Sequence, residues 1–205
     1  MSFCVVKIGG SLMDQSREIV SHLIEQSDRC GFLVVPGGGP MADLVRSIFK
    51  RYDISQETAH WMAVLAMEQY AHFMADGTKA KLTQEIASYP QGVKILLPYN
   101  VLLEDDCGIE HSWDYTSDSV AALVACRLGA FMVKATDVDG VMLNGRFVDV
   151  IFAKDLMETR TCIDQGALNL LNSCGGHCRV LNGKDPQSFI ANLISDVGGT
   201  LIKGK

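Results

Sequence analysis

The sequence of 205 residues contains no uncharged apolar run near the roughly 18 residues that a membrane-spanning helix needs. It also lacks a basic excess, because 18 lysines and arginines stand against 24 aspartates and glutamates and give a net charge of −6. Proteins that bind the nucleic-acid backbone need a basic surface, so this balance argues against that class. The hydrophobic fraction of 48% is too high for a disordered chain and predicts a globular protein with a buried core. We therefore expect no membrane and no nucleic-acid partner.

Two well-known nucleotide-binding patterns are missing as well. The pattern Gly-x-x-x-x-Gly-Lys-Ser/Thr does not occur, which excludes a P-loop. No Gly-x-Gly-x-x-Gly follows a predicted strand, which leaves a dinucleotide-binding fold unsupported. The N-terminal segment is short and already charged at Lys7, which is atypical of a signal peptide. We therefore expect a cytoplasmic protein.

The seven cysteines are odd in number and irregularly spaced. In a protein expected to be cytoplasmic, this pattern predicts reduced thiols. Cys162, Cys174, His177 and Cys178 are of the types that bind zinc, but their spacing matches no standard zinc site. The simpler interpretation is that Gly175-Gly176 ends a helix before a strand, so we assign no metal site.

Short apolar runs alternate with longer helical patterns along the whole chain. Phe3–Ile8 and Phe32–Val35 are predicted to be buried strands, and Gln56–Ala75 and Thr116–Leu128 are predicted to be helices. Such alternation predicts an α/β fold with a mostly parallel sheet and helices on both faces. Ligands bind such sheets at the carboxyl ends of the strands, so the residues that follow strands are the candidates for chemistry.

Glycine-rich segments follow the first two predicted strands. Lys7 lies at the end of the first strand, before Gly9, Gly10 and Ser11. An ammonium group there is costly to bury unless it meets an anion, and N–H groups beside glycines can converge on phosphate oxygens. The alternative is a lysine that extends to solvent beside a structural turn, and the residues alone leave both interpretations open.

Three consecutive glycines, Gly37, Gly38 and Gly39, follow the second strand. They leave no side chain between the backbone and a ligand, and the helix start behind them adds N–H donors and a positive dipole end. A tight turn between a strand and a helix rarely needs three glycines, so this segment favours a phosphate site.

Two acidic segments lie further along the chain. Asp118 stands in the first turn of a predicted helix, where it either favours the helix start or holds a cation such as a lysine ammonium or magnesium. Thr116 and Ser117 are candidates for its N-cap. Asp137 and Asp139 follow a predicted strand as turn residues or as ligands for ribose hydroxyls or hydrated Mg²⁺.

Taken in order, these segments resemble the amino acid kinase superfamily. The motifs are Lys-x-Gly-Gly-Ser, Pro-Gly-Gly-Gly, Thr-Ser-Asp-Ser-x-Ala-Ala and Thr-Asp-Val-Asp-Gly, and they extend over nearly the whole chain. The resemblance implies a three-layer α/β/α sandwich and an ATP-dependent phosphotransferase with Mg²⁺. It implies one domain over residues 1–205, with the acceptor side at roughly 1–130 and the nucleotide side at roughly 131–205. A homo-oligomer is also expected, because the helix at Gln56–Ala75 is apolar on more than one face.

The resemblance further implies roles for single residues. Lys7 would neutralise the transferring phosphoryl group, and Asp118 would orient this catalytic lysine. Such roles fit phosphoryl transfer, which depends mainly on positioning and charge neutralisation. The predicted phosphate-binding residues are Gly9, Gly10, Ser11, Gly37, Gly38 and Gly39. The predicted nucleotide-binding residues are Lys134, Thr136, Asp137, Asp139 and Gly140.

The chain departs from the family pattern at one point. Many members carry a Gly-Gly-Met segment and a second catalytic lysine in the C-terminal half, and neither is recognisable here. Lys154 and Lys184 are the candidates to replace that lysine. The departure keeps a non-catalytic nucleotide- or oxyanion-binding protein open as an alternative function, beside a kinase that acts on a carboxylate.

Two segments carry a narrower resemblance, namely His60-Trp61-Met62-Ala63 in the long predicted helix and His111-Ser112-Trp113-Asp114 before Thr-Ser-Asp-Ser. Together with the short chain, they resemble the small archaeal-type kinases that act on aminomethylfuran-methyl phosphate in methanofuran biosynthesis. The implied reaction converts ATP and a phosphate monoester into a diphosphate. His60 or His111 would donate to the acceptor phosphate, Trp113 would stack on the furan ring, and Asp114 would pair with the substrate ammonium. The alternatives are that His60 is an ordinary helix histidine and Trp113 a core residue.

Overall fold

The structure, a computed structural model, describes residues 3–205 and contains a central sheet of eight strands between layers of helices. A two-stranded hairpin forms a separate small sheet. The strands are β1 (Phe3–Ile8), β2 (Gly31–Pro36), β3 (Lys81–Thr83), β4 (Val93–Leu96), β5 (Phe131–Thr136), β6 (Val141–Leu143), β7 (Arg146–Val148), β8 (Val150–Phe152), β9 (His177–Asn182) and β10 (Thr200–Lys203).

Seven α-helices accompany these strands within residues 3–205, together with short 3₁₀ turns at Gly10–Leu12 and Ala153–Leu156. The helices are α1 (Met13–Gln26), α2 (Gly39–Tyr52), α3 (Gln56–Ala75), α4 (Pro98–Glu104), α5 (Ser117–Leu128), α6 (Gln165–Cys174) and α7 (Pro186–Ser195).

The order of strands in the large sheet is β3-β4-β2-β1-β5-β9-β10-β8. All neighbouring pairs are parallel except β9 and β10, which are antiparallel. The predicted α/β fold with a mostly parallel sheet between helices is therefore confirmed. The first strand of the chain, β1, lies in the middle of the sheet, so the loop after it opens near the centre of the carboxyl edge.

The sheet separates two hydrophobic cores, and strand alternation decides which residues enter each. Val6 of β1 packs on the side of α1 and α7, whereas Val5 packs on the side of α5 and α6. Since successive side chains point to opposite faces, Lys7 lies on the same face as Val5. In β5, the same alternation puts Lys134 on the face of Met132, which also belongs to the α5 side.

The long helix α3 has the predicted bounds, and its apolar residues are shared among three clusters of this chain. Val64 and Met67 enter the core on the α5 side, Tyr70 and Met74 enter the opposite core, and Ala66 packs in a small cluster that includes residues of α2. The broad apolar surface of α3 is thus largely covered within the chain. The expectation of a homo-oligomer stays a prediction.

Several elements differ from the sequence-based expectation. The segments β3 and α4 were not anticipated, and Pro98 begins α4, where a proline in the first helical turn is well tolerated. A hairpin forms between β6 and β7, and Asn144 and Gly145 at its turn have positive φ angles, of 50° and 76°. Ile151 lies beyond this hairpin and belongs to β8 of the large sheet.

The expectation of seven reduced thiols is wrong for one pair in this structure. Cys126 at the end of α5 and Cys174 at the end of α6 form a disulfide, with a Cα–Cα distance of 5.9 Å. The two helices pack side by side, which brings their last turns together. The other five cysteines are free. Of the helices in residues 3–205, none combines the length and apolar character that crossing a membrane requires.

Candidate active site

The two glycine loops lie face to face at the carboxyl edge of the sheet. The Gly37 N–H donates to the carbonyl of Ile8 at 2.8 Å, which ties the ends of β1 and β2 together. A Cβ atom added to Gly10 would lie 2.6 Å from the backbone nitrogen of Gly39, so the loops approach each other as only glycine permits. The loops therefore present backbone groups rather than side chains to their surroundings.

A cleft of about 360 Å³ opens beside these loops. The start of α2 at Gly39 and the start of α5 at Ser117 both line it. Helix N-termini carry unpaired N–H donors and a partial positive charge. The structure thus brings together five predicted residues at one anion-attracting space, namely Lys7, Gly10, Ser11, Gly38 and Gly39.

Two lysines share one buried carboxylate beside this cleft, and Lys7 lines the cleft itself. Lys7 and Lys134 are direct partners in the register of β1 and β5. Lys7 Nζ lies 2.8 Å from Asp118 Oδ1, while Lys134 Nζ contacts Asp118 Oδ2 and the carbonyl of Cys162. Lys7, Asp118 and Lys134 are 6%, 4% and 4% exposed. We call these three side chains the charge centre.

Lys134 is buried beside α5. It was predicted to bind nucleotide, but strand alternation turns its side chain toward α5, where Asp118 receives it. The predicted contact between Asp118 and Lys7 is present in this geometry.

Burial and the shared carboxylate perturb the pKa of every member of the charge centre. Burial lowers the pKa of Lys7, because Asp118 offsets this effect only in part and Lys134 adds to it. Burial alone would raise the pKa of Asp118, but the two ammonium groups outweigh it and hold this pKa well below its ordinary value. Burial also acts against charged Lys134, yet Asp118 raises the pKa of Lys134. Lys134 is thus the more firmly paired cation.

A second, half-buried carboxylate, Asp164, supports the charge centre and was not among the predicted site residues. As the N-cap of α6, it accepts hydrogen bonds from Ala167 N at 2.7 Å, from the Thr116 hydroxyl at 2.6 Å and from the Ser119 hydroxyl at 2.6 Å. Its own N–H donates to Asp118 Oδ2 at 3.3 Å. An aspartate at a predicted helix start signals an N-cap, but nothing in the spacing reveals its partners in α5.

A second, narrow cavity adjoins the cleft on the side of α2 and α3. It extends from the glycine loop to the predicted residues His60 and Trp113. The cavity and the cleft share the lining residues Gly38, Ala42, Arg46, Thr116 and Ser117. We call the first space the phosphate cleft and the second the acceptor cavity.

Arg46 stands at the boundary of the two spaces and was not anticipated. Its guanidinium carbon lies 5.3 Å from the centre of the Trp113 ring, and its Nη1 lies 2.6 Å from the Asp43 carboxylate. The planar guanidinium suits phosphate oxygens, which it can bind in pairs. The spacing of residues could have predicted this position. Arg46 follows Gly38 and Ala42 at intervals of four residues and so shares their face of α2.

His60 lines the far end of the acceptor cavity, and His111 stacks on it from behind. The rings of His60 and His111 are 4.0 Å apart and nearly parallel. One nitrogen of His111 contacts Glu57, and the other lies 2.8 Å from Asp106 Oδ2. Burial acts against the charged form of His111, but these carboxylates raise its pKa. Burial and the neighbouring His111 lower the pKa of His60 to about 4.

The histidines therefore differ in what they offer a ligand. His60 lines the acceptor cavity as a neutral ring, whereas both nitrogens of His111 are already engaged. The predicted donation from His111 to the acceptor phosphate has no nitrogen available in this arrangement, so His111 supports His60 from behind.

Three of the predicted nucleotide-binding residues, Asp137, Asp139 and Gly140, lie beyond the end of β5, around a depression. The Ser11 hydroxyl donates to Asp137 at 3.1 Å, which links the phosphate cleft to this depression. Lys184 faces the depression, while Lys154 is exposed and lies against the Phe152 ring. The depression is lined by Asp137, Val138, Asp139, Gly140, Met142, Phe147, Asn182 and Lys184.

Some predicted residues are not brought to these spaces. Asp114 is exposed and lies outside the acceptor-cavity lining, where its carbonyl accepts from Gly166 N at 3.0 Å. Thr136 is buried and donates to Asp137 at 3.3 Å. In the part of the chain that the structure describes, no group of three or more histidine, cysteine, aspartate or glutamate residues is arranged to hold a metal.

Comparison with known proteins identifies the family of this chain. Residues 2–182 match the amino acid kinase family, and the chain belongs to that family. Among curated proteins, it is similar to [5-(aminomethyl)furan-3-yl]methyl phosphate kinase of Methanocaldococcus jannaschii. The two sequences are 33% identical over 196 residues, and the alignment covers 89% of each chain.

Solved structures show the same fold. Uridylate kinase from Archaeoglobus fulgidus superposes with a TM-score of 0.70 at 18% identity, over 98% of this chain and 100% of that one. UMP kinase from Bacillus anthracis gives a TM-score of 0.71 at 14% identity, over 98% and 96% of the chains. Aspartate kinase from Synechocystis gives a TM-score of 0.68 at 12% identity, over 99% of this chain and 40% of that one.

Proposed function

We propose that this protein is an ATP-dependent kinase that transfers the γ-phosphoryl group of ATP to a phosphate monoester and forms a diphosphate. The proposed acceptor is [5-(aminomethyl)furan-3-yl]methyl phosphate or a close analogue, in methanofuran-type cofactor biosynthesis. The observation that carries the proposal is the junction between the phosphate cleft at Lys7 and the acceptor cavity at His60, with Arg46 at the boundary. The similarity to the M. jannaschii kinase supports this acceptor.

In the proposed reaction, an oxygen of the acceptor phosphate attacks the γ-phosphorus of ATP. A new P–O bond forms, the bond to the β,γ-bridging oxygen breaks, and ADP leaves with that electron pair. A phosphate monoester is already ionised at neutral pH, so the attacking oxygen needs no general base. The main obstacle is repulsion between anions, which Lys7 and the backbone N–H groups of the glycine loops reduce.

We place ATP on the side of residues 131–205, at the depression that contains Asp137, Asp139 and Lys184. Burial alone would raise the pKa of Asp137, but hydrogen bonds from its own N–H and from Ser11 lower it, so this carboxylate is ionised at neutral pH. Carboxylate oxygens of Asp137 and Asp139 fit Mg²⁺, which prefers hard oxygen ligands. When bound, Mg²⁺ would supply charge neutralisation to the triphosphate.

We place the acceptor on the side of residues 1–130. Arg46 would bind its phosphate, and Trp113 would contact the furan ring. The neutral ring of His60 can accept a hydrogen bond from the substrate ammonium, which a protonated ring could not do. Behind it, His111 lies between two carboxylates, so this cluster is negative whether or not His111 is protonated and favours a cation.

The test combines the purified protein, Mg-ATP and the aminomethylfuran phosphate, and follows ADP and the diphosphate by chromatography and ³¹P NMR. We expect one ADP for each diphosphate formed. UMP and aspartate serve as comparison acceptors, and turnover of either in preference to the furan would reassign the substrate. Tight binding of ATP without turnover of any acceptor would instead favour a nucleotide-binding protein.

A further inference from the structure

The charge centre contains one cation more than a simple pair. A lysine bound to a single carboxylate is a neutral pair, which attracts a phosphoryl group only weakly. Here Lys7 and Lys134 approach different oxygens of Asp118, so the three side chains carry one net positive charge. The second lysine is therefore positioned to change how much of the Lys7 charge remains available.

We propose that Lys134 is a positioning residue that occupies Asp118 Oδ2 and thereby leaves the positive charge of Lys7 uncompensated toward the transferring phosphoryl group. The inference rests on the proposed kinase function. It identifies Lys134, rather than Lys154 or Lys184, as the second lysine of the site.

The geometry gives the two lysines different tasks. Lys7 lines the phosphate cleft, whereas Lys134 lies outside its lining and also donates to the carbonyl of Cys162. Both lysines come from adjacent central strands at matching register positions and point to the same helix, α5. Lys134 consequently acts through Asp118 and not by contact with substrate.

The other titratable groups near the charge centre offset its charge only in part. Burial raises the pKa of Cys162 and raises the pKa of Cys178 to about 12, so both thiols are neutral at physiological pH. Burial and the nearby Asp118 raise the pKa of Asp164, whose carboxylate accepts from the backbone and hydroxyl groups of Thr116 and Ser119 and from Ala167 N. The charge of Asp164 favours the ammonium form of both lysines, but the pKa of Lys7 is still lowered, because burial and the repulsion from Lys134 outweigh this attraction.

The alternative lysines have other surroundings. Lys154 is exposed, with its ammonium 5.5 Å from the centre of the Phe152 ring. Lys184 faces the depression at Asp137 and Asp139 on the nucleotide side. The contact that would modulate Lys7 is therefore made by Lys134.

The test compares Lys134→Met and Lys134→Arg with Lys154→Met as the matched control. In Lys134→Met, Lys7 would pair with both oxygens of Asp118, and we expect kcat to fall on the order of 100-fold with little change in KM for either substrate. Lys134→Arg retains the charge and should recover most of kcat. Lys154→Met should leave both constants unchanged.

A second measurement reports on Lys7 without any turnover. NMR of protein labelled at lysine with ¹³C and ¹⁵N follows the titration of the Lys7 ammonium, assigned with Lys7→Arg. Because removal of Lys134 ends its repulsion and frees Asp118, the Lys7 midpoint should move to higher pH in Lys134→Met. If that variant does not fold, Lys134→Gln removes the same charge and keeps a hydrogen-bond donor.

The outcomes separate the two proposals. Unchanged kcat in Lys134→Met, or a loss of kcat without movement of the Lys7 midpoint, would overturn the role of Lys134. Absence of furan phosphate turnover in the wild-type protein would overturn the proposed function. In that case the Lys7 midpoint still decides whether Lys134 controls its charge.

Discussion

Two charged clusters form different walls of the same site, and they differ in burial. The members of the charge centre are each at most 6% exposed. In the histidine cluster, the side chains of Glu57, Asp106 and His111 are 60%, 23% and 18% exposed. A buried charge that loses its partner is strongly destabilised, whereas an exposed one is rescued by water. We therefore expect changes in the charge centre to abolish function and changes in the histidine cluster to adjust it.

The sharpest test of this comparison is Lys7→Ala. Asp118 would keep Lys134 as its partner, so the fold should survive while the phosphoryl group loses its cation. We expect kcat to fall roughly 1,000-fold, measured by ADP release, with a normal circular dichroism spectrum. An active Lys7→Ala enzyme would refute the assigned role of Lys7.

Asp164→Asn should have the next largest effect, which is a loss of folding stability. The amide would present an NH₂ group to donors that now meet a carboxylate oxygen, at a cost of about 2 kcal/mol in the free energy of unfolding. Asp185→Asn is the matched control, because Asp185 also caps a helix but is exposed, and asparagine caps helices as well as aspartate does. Equal urea midpoints for the two variants would contradict the stabilising role of the half-buried Asp164 contacts between α5 and α6.

Arg46→Ala should act on acceptor binding more than on chemistry. Loss of one charge-assisted contact to the acceptor phosphate should raise its KM about tenfold, with a smaller change in kcat. Arg51→Ala is the control, since Arg51 lies on the same helix over the exposed Tyr52 ring. A KM that rises equally in both variants would show that the effect comes from α2 as a whole.

His111→Asn should produce the smallest effect, visible as a pH dependence of stability. The pKa of His111 is raised in the fold, so its stabilising contribution is complete below about pH 6.5 and is lost as pH rises through the folded value. The pKa values of Glu57 and Asp106 are lowered, so their contribution is lost at the acid end. The Tm difference from wild type should therefore be largest between about pH 5 and 6.

The same variant has a spectroscopic signature. Removal of the positive ring stacked on His60 should raise the pKa of His60 from about 4, because one of the causes that lower it is gone. Proton NMR of the His60 ring would record the shift. An unchanged His60 titration would mean that burial alone determines its pKa.

The local sequence pattern was sufficient to predict some parts of the fold and site and insufficient to predict others. The parallel sheet and the bounds of α3 followed from periodicity, and the glycine loops followed from clustering next to strands. The environment of Lys134 depended on the register between β1 and β5, which strand sequences do not specify. Asp164 and Arg46 act through contacts between distant elements, and single helix patterns carry no information about such partners.

The cysteine pairing was missed for a related reason. Cys126 and Cys174 are separated by 48 residues and meet only because α5 and α6 pack together. The cellular compartment and the spacing of cysteines indicate only whether the thiols of a chain are generally reduced or oxidised. They do not locate two cysteines at the ends of neighbouring helices.

The central position of β1 bears on the order in which the chain can fold. β1 is made first, yet Lys7 is covered by Asp118, which follows more than a hundred residues later. If β1 were buried before Asp118 is in place, the Lys7 ammonium would lose water without gaining a counter-charge, at a cost of several kcal/mol. We therefore expect the centre of the sheet to become buried only when α5 and β5 pack against β1 in the same step. A molecule whose core has formed would then already hold Lys7 in place beside Asp118.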